Sequence, residues 1–461
     1  MKEKSEGSYA VLAAIMLGSI MGPIDASIVN VILPTIADSF AAPISTAQWI
    51  PMVYLLTISS LLLFYGRLGD VLGYKRVYLL GLAGFLAASA LCGLSPTIRS
   101  LIVFRALQGL AGGMMMAVPY AVITACFPAG QRGRALGLNA MGISAGLAIG
   151  PSLGGFIASV LGWRFAFLVN LPIGLAGWLW ARRVIPDLRG QPGKIDVLGA
   201  VTAFLSLGAL LLSVNWFPRR GLDLATGMLL GAGVVAGGGF LWVERRAASP
   251  MLELGLFRNL TFALANVSAL LNFLSQYVLV FLTPFYLHRV LRWAPNRVGL
   301  IMTSFPSAVM AIAPFSGWLS DRIGTRVPAV LGAATCAFSL FRMSHLPPVA
   351  SAKEVVWRLA LFGLGTGLFQ SPNNSAVMGS APRPHLGIAS GTLATMRNVG
   401  MVLGVATGGA VLYALVPSDI LGKAALEASE APVFLSGLRG AFMAGALATG
   451  LAAASSLVRP R

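Results

Sequence analysis

Acidic residues are scarce in this sequence. Only 15 of its 461 residues are Asp or Glu, against 33 Lys and Arg, and charged residues make up 10% of the chain. A water-soluble domain carries about 25% charged residues, so this composition argues against a soluble fold. The net charge of +18 arises from the missing acids. Nucleic-acid binding is therefore not the favoured explanation of that charge.

Cysteine and histidine are also rare, with three of each. Cys92, Cys126 and Cys336 lie at unrelated spacings in or beside apolar stretches, which argues against a disulfide framework and predicts small packing residues. The histidines are far apart and close to the ends of apolar segments, so we expect them at the membrane interface and predict no metal site. They are His288, His345 and His385.

Hydrophobic residues are abundant instead, at 57% of the chain, and the mean hydropathy is +0.81. A membrane-spanning helix needs about 20 mostly apolar residues, and the sequence predicts fourteen of them. The first run follows two lysines, as in a signal peptide, but it continues past Asp25 without a cleavage signature and is predicted to be retained. The predicted spans lie near 9–36, 46–66, 77–96, 99–122, 136–160, 165–181, 195–215, 224–243, 261–287, 297–319, 327–345, 355–378, 386–414 and 437–457.

The basic residues predict the orientation of these spans. Outside the spans, most Lys and Arg fall in loops on the side of the two termini, and an even number of spans puts both termini on one side. The positive-inside rule then predicts cytoplasmic termini in a multi-pass protein of the cytoplasmic (inner) membrane. Three arginines in one outer loop weaken the bias, namely Arg289, Arg292 and Arg297.

An internal repeat predicts the architecture. The loop at 66–76 and the loop at 317–326 both contain G-x-L-x-D-x-x-G followed by basic residues. One copy in each half predicts an all-α integral membrane protein of two six-helix bundles, with spans seven and eight as two inserted transmembrane helices. Parallel repeats of this kind are a transporter layout with the substrate site between the halves. The predicted domains are an N-terminal six-helix bundle at 1–186, an inserted two-helix hairpin with cytoplasmic linkers at 187–258 and a C-terminal six-helix bundle at 259–461.

With these features the sequence resembles the major facilitator superfamily over nearly its whole length, and in particular the fourteen-span drug:proton antiporter branch. The repeated loop matches the superfamily signature, although Val71 stands where a basic residue is common. Residues 24–34 resemble the branch pattern L-D-x-T-x-V-N-V-A-L-P, with Ser27 in place of Thr. Further matches are R-x-x-Q-G at 105–109, G-x-x-x-G-P-x-x-G-G at 146–155, and shorter elements at 163–165, 170–172, Asp196, 256–259 and 397–400.

The resemblance implies a proton-coupled exporter of amphipathic small molecules or drugs that works by alternating access, with the proton gradient as its energy source and no cofactor. Small residues at every fourth position let helices approach closely, and a proline bends a span, so span five is a candidate hinge for rocking. The conformational motif residues implied are Gly66, Asp70, Gly73, Arg76, Gly317, Asp321, Arg322 and Gly324 in the loops, and Gly146, Gly150, Pro151, Gly154 and Gly155 in span five.

Asp25 is the one acid that the prediction places inside a span. An ionised carboxylate there costs about 2.5–3.5 kcal/mol on insertion scales, so an intramembrane acid points to function. We predict that Asp25 carries the coupled proton and that Arg105 of span four tunes it. Two structural alternatives stay open: Asp25 bonds to neighbouring helices through Asn30, or Arg105 braces the bundle by bonding to carbonyls.

Polar and aromatic residues inside the spans are candidates for the substrate cavity. Each could instead pack or form hydrogen bonds between helices, and Arg397 either holds an anionic substrate group or pairs with Asn398. No further acid lies in spans nine to fourteen, so the alternative function is export of a specific metabolite or lipid-like compound that is neutral or anionic. The candidates are Asn30, Tyr54, Gln108, Asn266, Asn272, Gln276, Tyr277, Gln370, Asn373, Asn374 and Arg397.

Other function classes lack their signatures. The G-x-S-x-G at 142–146 has neither the strand-to-helix elbow nor the His and acid partners of a hydrolase, and no nucleotide-binding P-loop is present. We therefore predict a protein that is not an enzyme. Its expected partners are a small-molecule substrate, protons and membrane lipids, with no nucleic acid, and we expect a monomer.

Overall fold

The computed structural model describes residues 2–187, 197–221, 223–246, 253–382, 386–423, 426–427 and 429–459. Within these ranges the chain is helical, with a 3₁₀-helix at Leu254–Arg258 and a π-helix at Tyr286–Val290. Among the residues singled out above, Asp196 and His385 lie outside the described residues. The α-helices are α1 Lys2–Ser39, α2 Ile44–Ala47, α3 Trp49–Leu72, α4 Tyr74–Gly93, α5 Ile98–Ala117, α6 Pro119–Cys126, α7 Ala129–Val160, α8 Phe165–Leu168, α9 Asn170–Val184, α10 Val197–Arg220, α11 Leu224–Arg246, α12 Leu260–Phe285, α13 Pro295–Met302, α14 Ser304–Ile323, α15 Arg326–Ser344, α16 Ala352–Ser380, α17 Leu386–Leu415, α18 Ser418–Leu421 and α19 Ala431–Leu457.

Thirteen helices of the described residues are long and apolar enough to cross a membrane. The prediction of an all-helical membrane protein is therefore confirmed. The predicted twelfth span lies in α16, which has 29 residues but is not among the thirteen. Its C-terminal half carries Gln370, Asn373 and Asn374, which lower its hydropathy. The exact number of fourteen spans stays a prediction.

The long helix α1 runs from one face of the molecule to the other. It runs for 38 residues through Pro23 and Pro34 without a break, a length of roughly 57 Å at 1.5 Å per residue. Asp25 lies in its interior and Asp38 at its end. We refer to the side on which α1 begins and α19 ends as the termini face, and to the side on which α1 and α12 end as the distal face.

The helices form two bundles. In the first, α1 packs against α7 and α9, and α5 packs against α3 and α4. In the second, α12 packs against α17 and α19, and α16 packs against α14 and α15. The helices α10 and α11 pack on each other, and α10 also lies against α3 of the first bundle and α17 of the second. The two bundles meet chiefly where α7 contacts α13 and where α3 contacts α17.

The repeated loops make the same backbone turn. Gly73 ends α3 with φ 90°, and Gly324 ends α14 with φ 83°. Residues with a Cβ rarely adopt this left-handed conformation, which explains the glycine in each copy.

The side chains of the two copies differ. Asp70 accepts a hydrogen bond from Arg67 at 3.3 Å and another from Tyr74. Asp321 is exposed and forms no ion pair within the described ranges, whereas the guanidinium of Arg322 lies 4.2 Å from the ring centre of Trp318. Of the other motif residues, Arg76 is exposed, a Cβ on Gly66 would meet nothing within 4 Å, and one on Gly317 would lie 3.3 Å from Ser371 Oγ.

The glycines of α7 face two neighbours. A Cβ on Gly150 would lie 2.6 Å from the Cβ of Ser27 on α1. Gly146 and Gly154 also face α1, where a Cβ would lie 3.1 Å and 3.0 Å from backbone atoms. On another side of the same helix, a Cβ on Gly155 would overlap the carbonyl oxygen of Pro295 on α13. The helix α7 is therefore packed between the Asp25-bearing helix and the second bundle.

Gly155→Ala is expected to weaken the contact between the bundles. The added methyl group overlaps Pro295, and overpacking of this kind typically costs about 1–3 kcal/mol. Gly137→Ala on the same helix is the matched control, because a Cβ at Gly137 meets nothing within 4 Å and alanine favours a helix by up to about 1 kcal/mol. Thermal unfolding of the purified protein should show a lower Tm for Gly155→Ala than for Gly137→Ala. Equal Tm values would contradict this packing.

Candidate functional site

The carboxylate of Asp25 is fully buried and accepts three hydrogen bonds. Arg105 Nη1 donates to Oδ2 at 2.5 Å, while Gln108 Nε2 and Asn170 Nδ2 each donate to Oδ1 at 3.0 Å. All three groups are donors, and one carries a full positive charge. The carboxylate is thus enclosed by hydrogen-bond donors contributed by α5 and α9.

Arg105 both pairs with Asp25 and braces the bundle. Its Nη1 also donates to Gln108 Oε1 at 2.6 Å, and its Nε donates to the carbonyl oxygen of Ile50 on α3 at 3.4 Å. The guanidinium lies 4.0 Å from the ring centre of Tyr54, a cation–π contact. Arg105 thus makes both the contact with Asp25 and a contact with a backbone carbonyl, and its role in tuning Asp25 stays a prediction.

The R-x-x-Q-G element explains how α5 presents this site. Arg105 and Gln108 are three residues apart and therefore project from the same face of the helix. A Cβ on Gly109 would overlap the hydroxyl of Thr57 and lie 2.7 Å from the carbonyl oxygen of Tyr54. The glycine lets α3 approach α5 closely, and this approach brings the Tyr54 ring onto the guanidinium.

Two residues of the hydrogen-bond network around Asp25, Ser89 and Asn170, were not predicted as site residues from the sequence. Ser89 accepts hydrogen bonds from Gln108 at 2.8 Å and from Asn170 at 3.4 Å, and all three side chains are buried. Each of these two residues is a polar residue inside a predicted span that is otherwise apolar, and this feature could have identified them. Asn30, expected in one alternative to bond Asp25, is buried with its Oδ1 unpartnered in the described part of the chain.

The candidate cavity residues of the second bundle fall into two groups. The first is buried and bonds to neighbouring backbone or side chains: Asn266 donates to the Phe262 carbonyl at 2.9 Å, Asn272 to Cys336 Sγ at 3.9 Å and Asn373 to the Ala265 carbonyl at 3.1 Å. Gln276 and Tyr277 are also buried. The Asn272 and Asn373 bonds join neighbouring helices, whereas the Asn266 bond lies within α12.

The second group is half-buried and centres on Arg397. This arginine donates to Asn374 Oδ1 and so connects α17 to α16, and its guanidinium lies 5.5 Å from the ring centre of Phe273. Gln370, one turn before Asn374, is half-buried as well. This group places a cation, two amides and an aromatic ring in a partly accessible position.

A cluster of charged side chains joins the bundles at the distal face. Asp38, at the end of α1, lies 3.0 Å from His288 Nε2 and 3.3 Å from Arg289 Nη2, and both partners belong to the π-helix that follows α12. Arg289 Nη1 also donates to the carbonyl oxygen of Leu421 at 3.0 Å. We refer to Asp38, His288 and Arg289 as the distal cluster. The sequence predicted His288 at the membrane interface and Arg289 in an outer loop, and gave no sign of Asp38, which is about 250 positions away from both.

Two other contacts join the bundles between Asp25 and the distal face. The hydroxyls of Ser152 and Thr303 are 2.6 Å apart, and the Tyr413 hydroxyl accepts a hydrogen bond from the backbone N–H of Ser45. Gly150 of α7 packs beside Ser27, so Ser152 is already on the distal side of Asp25. These contacts hold the bundles together between Asp25 and the distal face.

The cysteines are free thiols, and Cys92 and Cys336 are buried, as expected for packing residues. Cys92 lies 3.8 Å from Gln108 Oε1, at the edge of the Asp25 network. Within the described ranges, no three His, Cys, Asp or Glu side chains come together as metal ligands would.

Comparison with known proteins places this geometry in a family. Residues 15–405 match the family model described as Major Facilitator Superfamily. The chain is 32% identical to the riboflavin transporter RibZ of Clostridioides difficile (strain 630), covering 88% of each protein. It is 34% identical to the multidrug resistance protein Stp of Mycobacterium tuberculosis (strain CDC 1551 / Oshkosh), covering 89% of this chain and 76% of Stp.

Solved structures show the same fold at low sequence identity. A bacterial homologue of the human lysosomal transporter Spinster, in an inward-facing and unoccupied conformation, superimposes with a TM-score of 0.66 at 18% identity, covering 98% of this chain and 97% of that one. The match of residues 15–405 to the family model confirms, at the level of the superfamily, the resemblance drawn from the sequence motifs. This chain is a multi-pass integral membrane protein and belongs to the major facilitator superfamily.

Proposed function

We propose that this chain is a proton-coupled exporter of amphipathic small molecules across the cytoplasmic membrane, working by alternating access as a monomer and catalysing no reaction. The observation that carries the proposal is the fully buried Asp25–Arg105 pair in the interior of a membrane bundle. Membership of a transporter superfamily and a relative named for multidrug resistance support it.

The proposed architecture is six spans, an inserted pair and six further spans, with domains at 1–186, 187–258 and 259–461. The pairing of α10 with α11 and the matching glycine turns at Gly73 and Gly324 support this division. Most basic loop residues lie on the termini face, so the proposed orientation puts that face in the cytoplasm. In this orientation the bundle contacts described above close the outer side.

The proposed coupling begins at Asp25. Proton binding neutralises the carboxylate and removes the charge partner of Arg105. A buried cation without its partner is strongly unfavourable, by about 3–5 kcal/mol when one member of a buried pair is removed. The protonated protein therefore favours a different arrangement of α1 and α5 in which Arg105 finds other acceptors.

The proposed transmission runs through α7. The helix α1 carries Asp25 and lies on the Gly150 side of α7, and Gly155 of α7 contacts α13 of the second bundle. A shift of α1 therefore moves the face of α7 that contacts α13 of the second bundle. For the outer side to open, the distal cluster and the Ser152–Thr303 contact must separate.

The alternative function is export of a specific metabolite or lipid-like compound that is neutral or anionic. The observation favouring it is the half-buried Arg397 beside Asn374. The acids of the described second bundle lie at helix ends or in connecting segments, at Asp321, Glu354, Asp419, Glu427 and Glu430. A relative named as a riboflavin transporter is consistent with a specific substrate.

Asp25→Asn is expected to abolish uphill transport driven by a proton gradient, because the amide cannot exchange a proton. Downhill counterflow of the same substrate should continue. The measurement is uptake of ethidium and of carboxyfluorescein into proteoliposomes with and without an imposed pH gradient. Asp187→Asn, at an exposed position, is the matched control. Undiminished uphill transport by Asp25→Asn would refute proton carriage by this residue.

Arg289→Gln is expected to shift the protein towards a distal-open state, since it removes the cation that holds Asp38 across the bundle boundary. Spin labels at the exposed positions Ala41 and Asn296 report the width of the distal face by pulsed electron resonance. The variant should gain a population at longer distance. Arg297→Gln, an exposed arginine of the same face, should leave the distances unchanged. Identical distributions in the two variants would rule out a gating role.

Arg397→Gln separates the two substrate classes. If Arg397 contacts an anionic group, loss of a charge-assisted hydrogen bond of about 1.5–3 kcal/mol raises the KM for carboxyfluorescein roughly 10- to 100-fold and leaves the KM for ethidium unchanged. The exposed Arg258 offers a control, Arg258→Gln. Transport of ethidium alone, with no effect of Arg397→Gln, would favour cationic drugs and contradict the anionic alternative.

A further inference from the structure

An apolar cavity lies at the junction of the two bundles and α10. Its volume is about 150 Å³. The first bundle contributes two residues from α3, the second contributes three from α17, and α10 closes the third side. The lining residues are Leu56, Ser59, Leu207, Leu210, Leu211, Val399, Val402 and Leu403.

The lining offers nothing to hold water. Ser59 is its one polar residue, and the hydroxyl already donates to the carbonyl oxygen of Leu55 at 2.5 Å. A buried water needs two to four polar partners, and apolar cavities without them stay dry. An engineered dry cavity of about 150 Å³ in another protein binds benzene. The chemistry of this cavity therefore selects an uncharged ligand the size of a single aromatic ring.

The helix α10 has one face towards the cavity and another on the outer surface. Leu211 is buried against the cavity, whereas Leu205 of the same helix is 55% exposed on the outer surface. A compound dissolved in the hydrocarbon region would meet this helix first. A full lipid acyl chain is much longer than the cavity, so a compact ring matches its volume better.

The walls of the cavity belong to parts that move relative to one another in alternating access. Leu56 belongs to the first bundle and Val402 to the second, and both are almost fully buried in the present arrangement. A ligand that fills the space contacts both bundles and binds this arrangement more tightly than one in which they have separated. Differential affinity of this kind shifts the conformational equilibrium.

We propose that this cavity is a binding site for uncharged single-ring aromatic compounds that partition into the membrane, and that occupancy holds the distal-closed arrangement and inhibits transport. Binding depends only on the cavity. The inhibitory consequence rests on the proposed transport function.

The binding test uses fluorobenzene and the full chain in lipid nanodiscs, with ¹⁹F NMR as the readout. The unsubstituted protein should bind the probe saturably. Leu207→Phe fills the cavity and should weaken binding at least tenfold, while Leu205→Phe, at the exposed position on the same helix, should leave it unchanged. Ser59→Leu is a second filling variant in case Leu207→Phe fails to fold. Equal binding by the filled variants and Leu205→Phe would overturn the site.

The functional test uses the same probe in proteoliposomes. Fluorobenzene should slow proton-driven transport by the unsubstituted protein and by Leu205→Phe, and Leu207→Phe should resist the inhibition. Saturable binding without any inhibition would overturn the conformational part of the proposal. Absence of proton-driven transport before any probe is added would instead count against the proposed function, and the binding result would stand separately.

Discussion

The buried pair of Asp25 and Arg105 is the interaction on which the arrangement of the first bundle depends. Removing two charges from water costs several kcal/mol for each ion, and this cost is offset only when the remaining polar atoms are satisfied. Gln108 and Asn170 supply the further donors to the carboxylate, and the Ile50 carbonyl accepts from Arg105 Nε. Arg105 Nη2 is buried without a hydrogen-bond partner among the described residues, so the offset is partial. The pair therefore fixes α1, α3, α5 and α9 relative to one another.

This constraint reaches the second bundle through packing. The glycines of α7 allow two close approaches on one helix, to α1 at Gly150 and to α13 at Gly155. Beyond them, the distal cluster and the hydroxyl contact of Ser152 with Thr303 hold the bundles together. In the proposed coupling, a charge change at Asp25 acts on the packing of α7, which the second bundle also contacts.

The sequence predicted the features that local chemistry determines. An acid alone in an apolar span identified Asp25, and the resemblance to the R-x-x-Q-G element singled out Arg105 and Gln108. It could not predict Ser89 and Asn170 as partners, because hydrophobic periodicity does not report which helices become neighbours. The pairing of Asp38 with Arg289 was hidden for the same reason.

In the proposed mechanism, Asp25 exchanges its proton for substrate. The most direct test is proton release from purified protein on addition of ethidium or carboxyfluorescein, followed with a pH indicator in weakly buffered detergent solution. We expect substrate-dependent proton release from the unsubstituted protein and none from Asp25→Asn when both bind the compound. Equal release from the two proteins would contradict it.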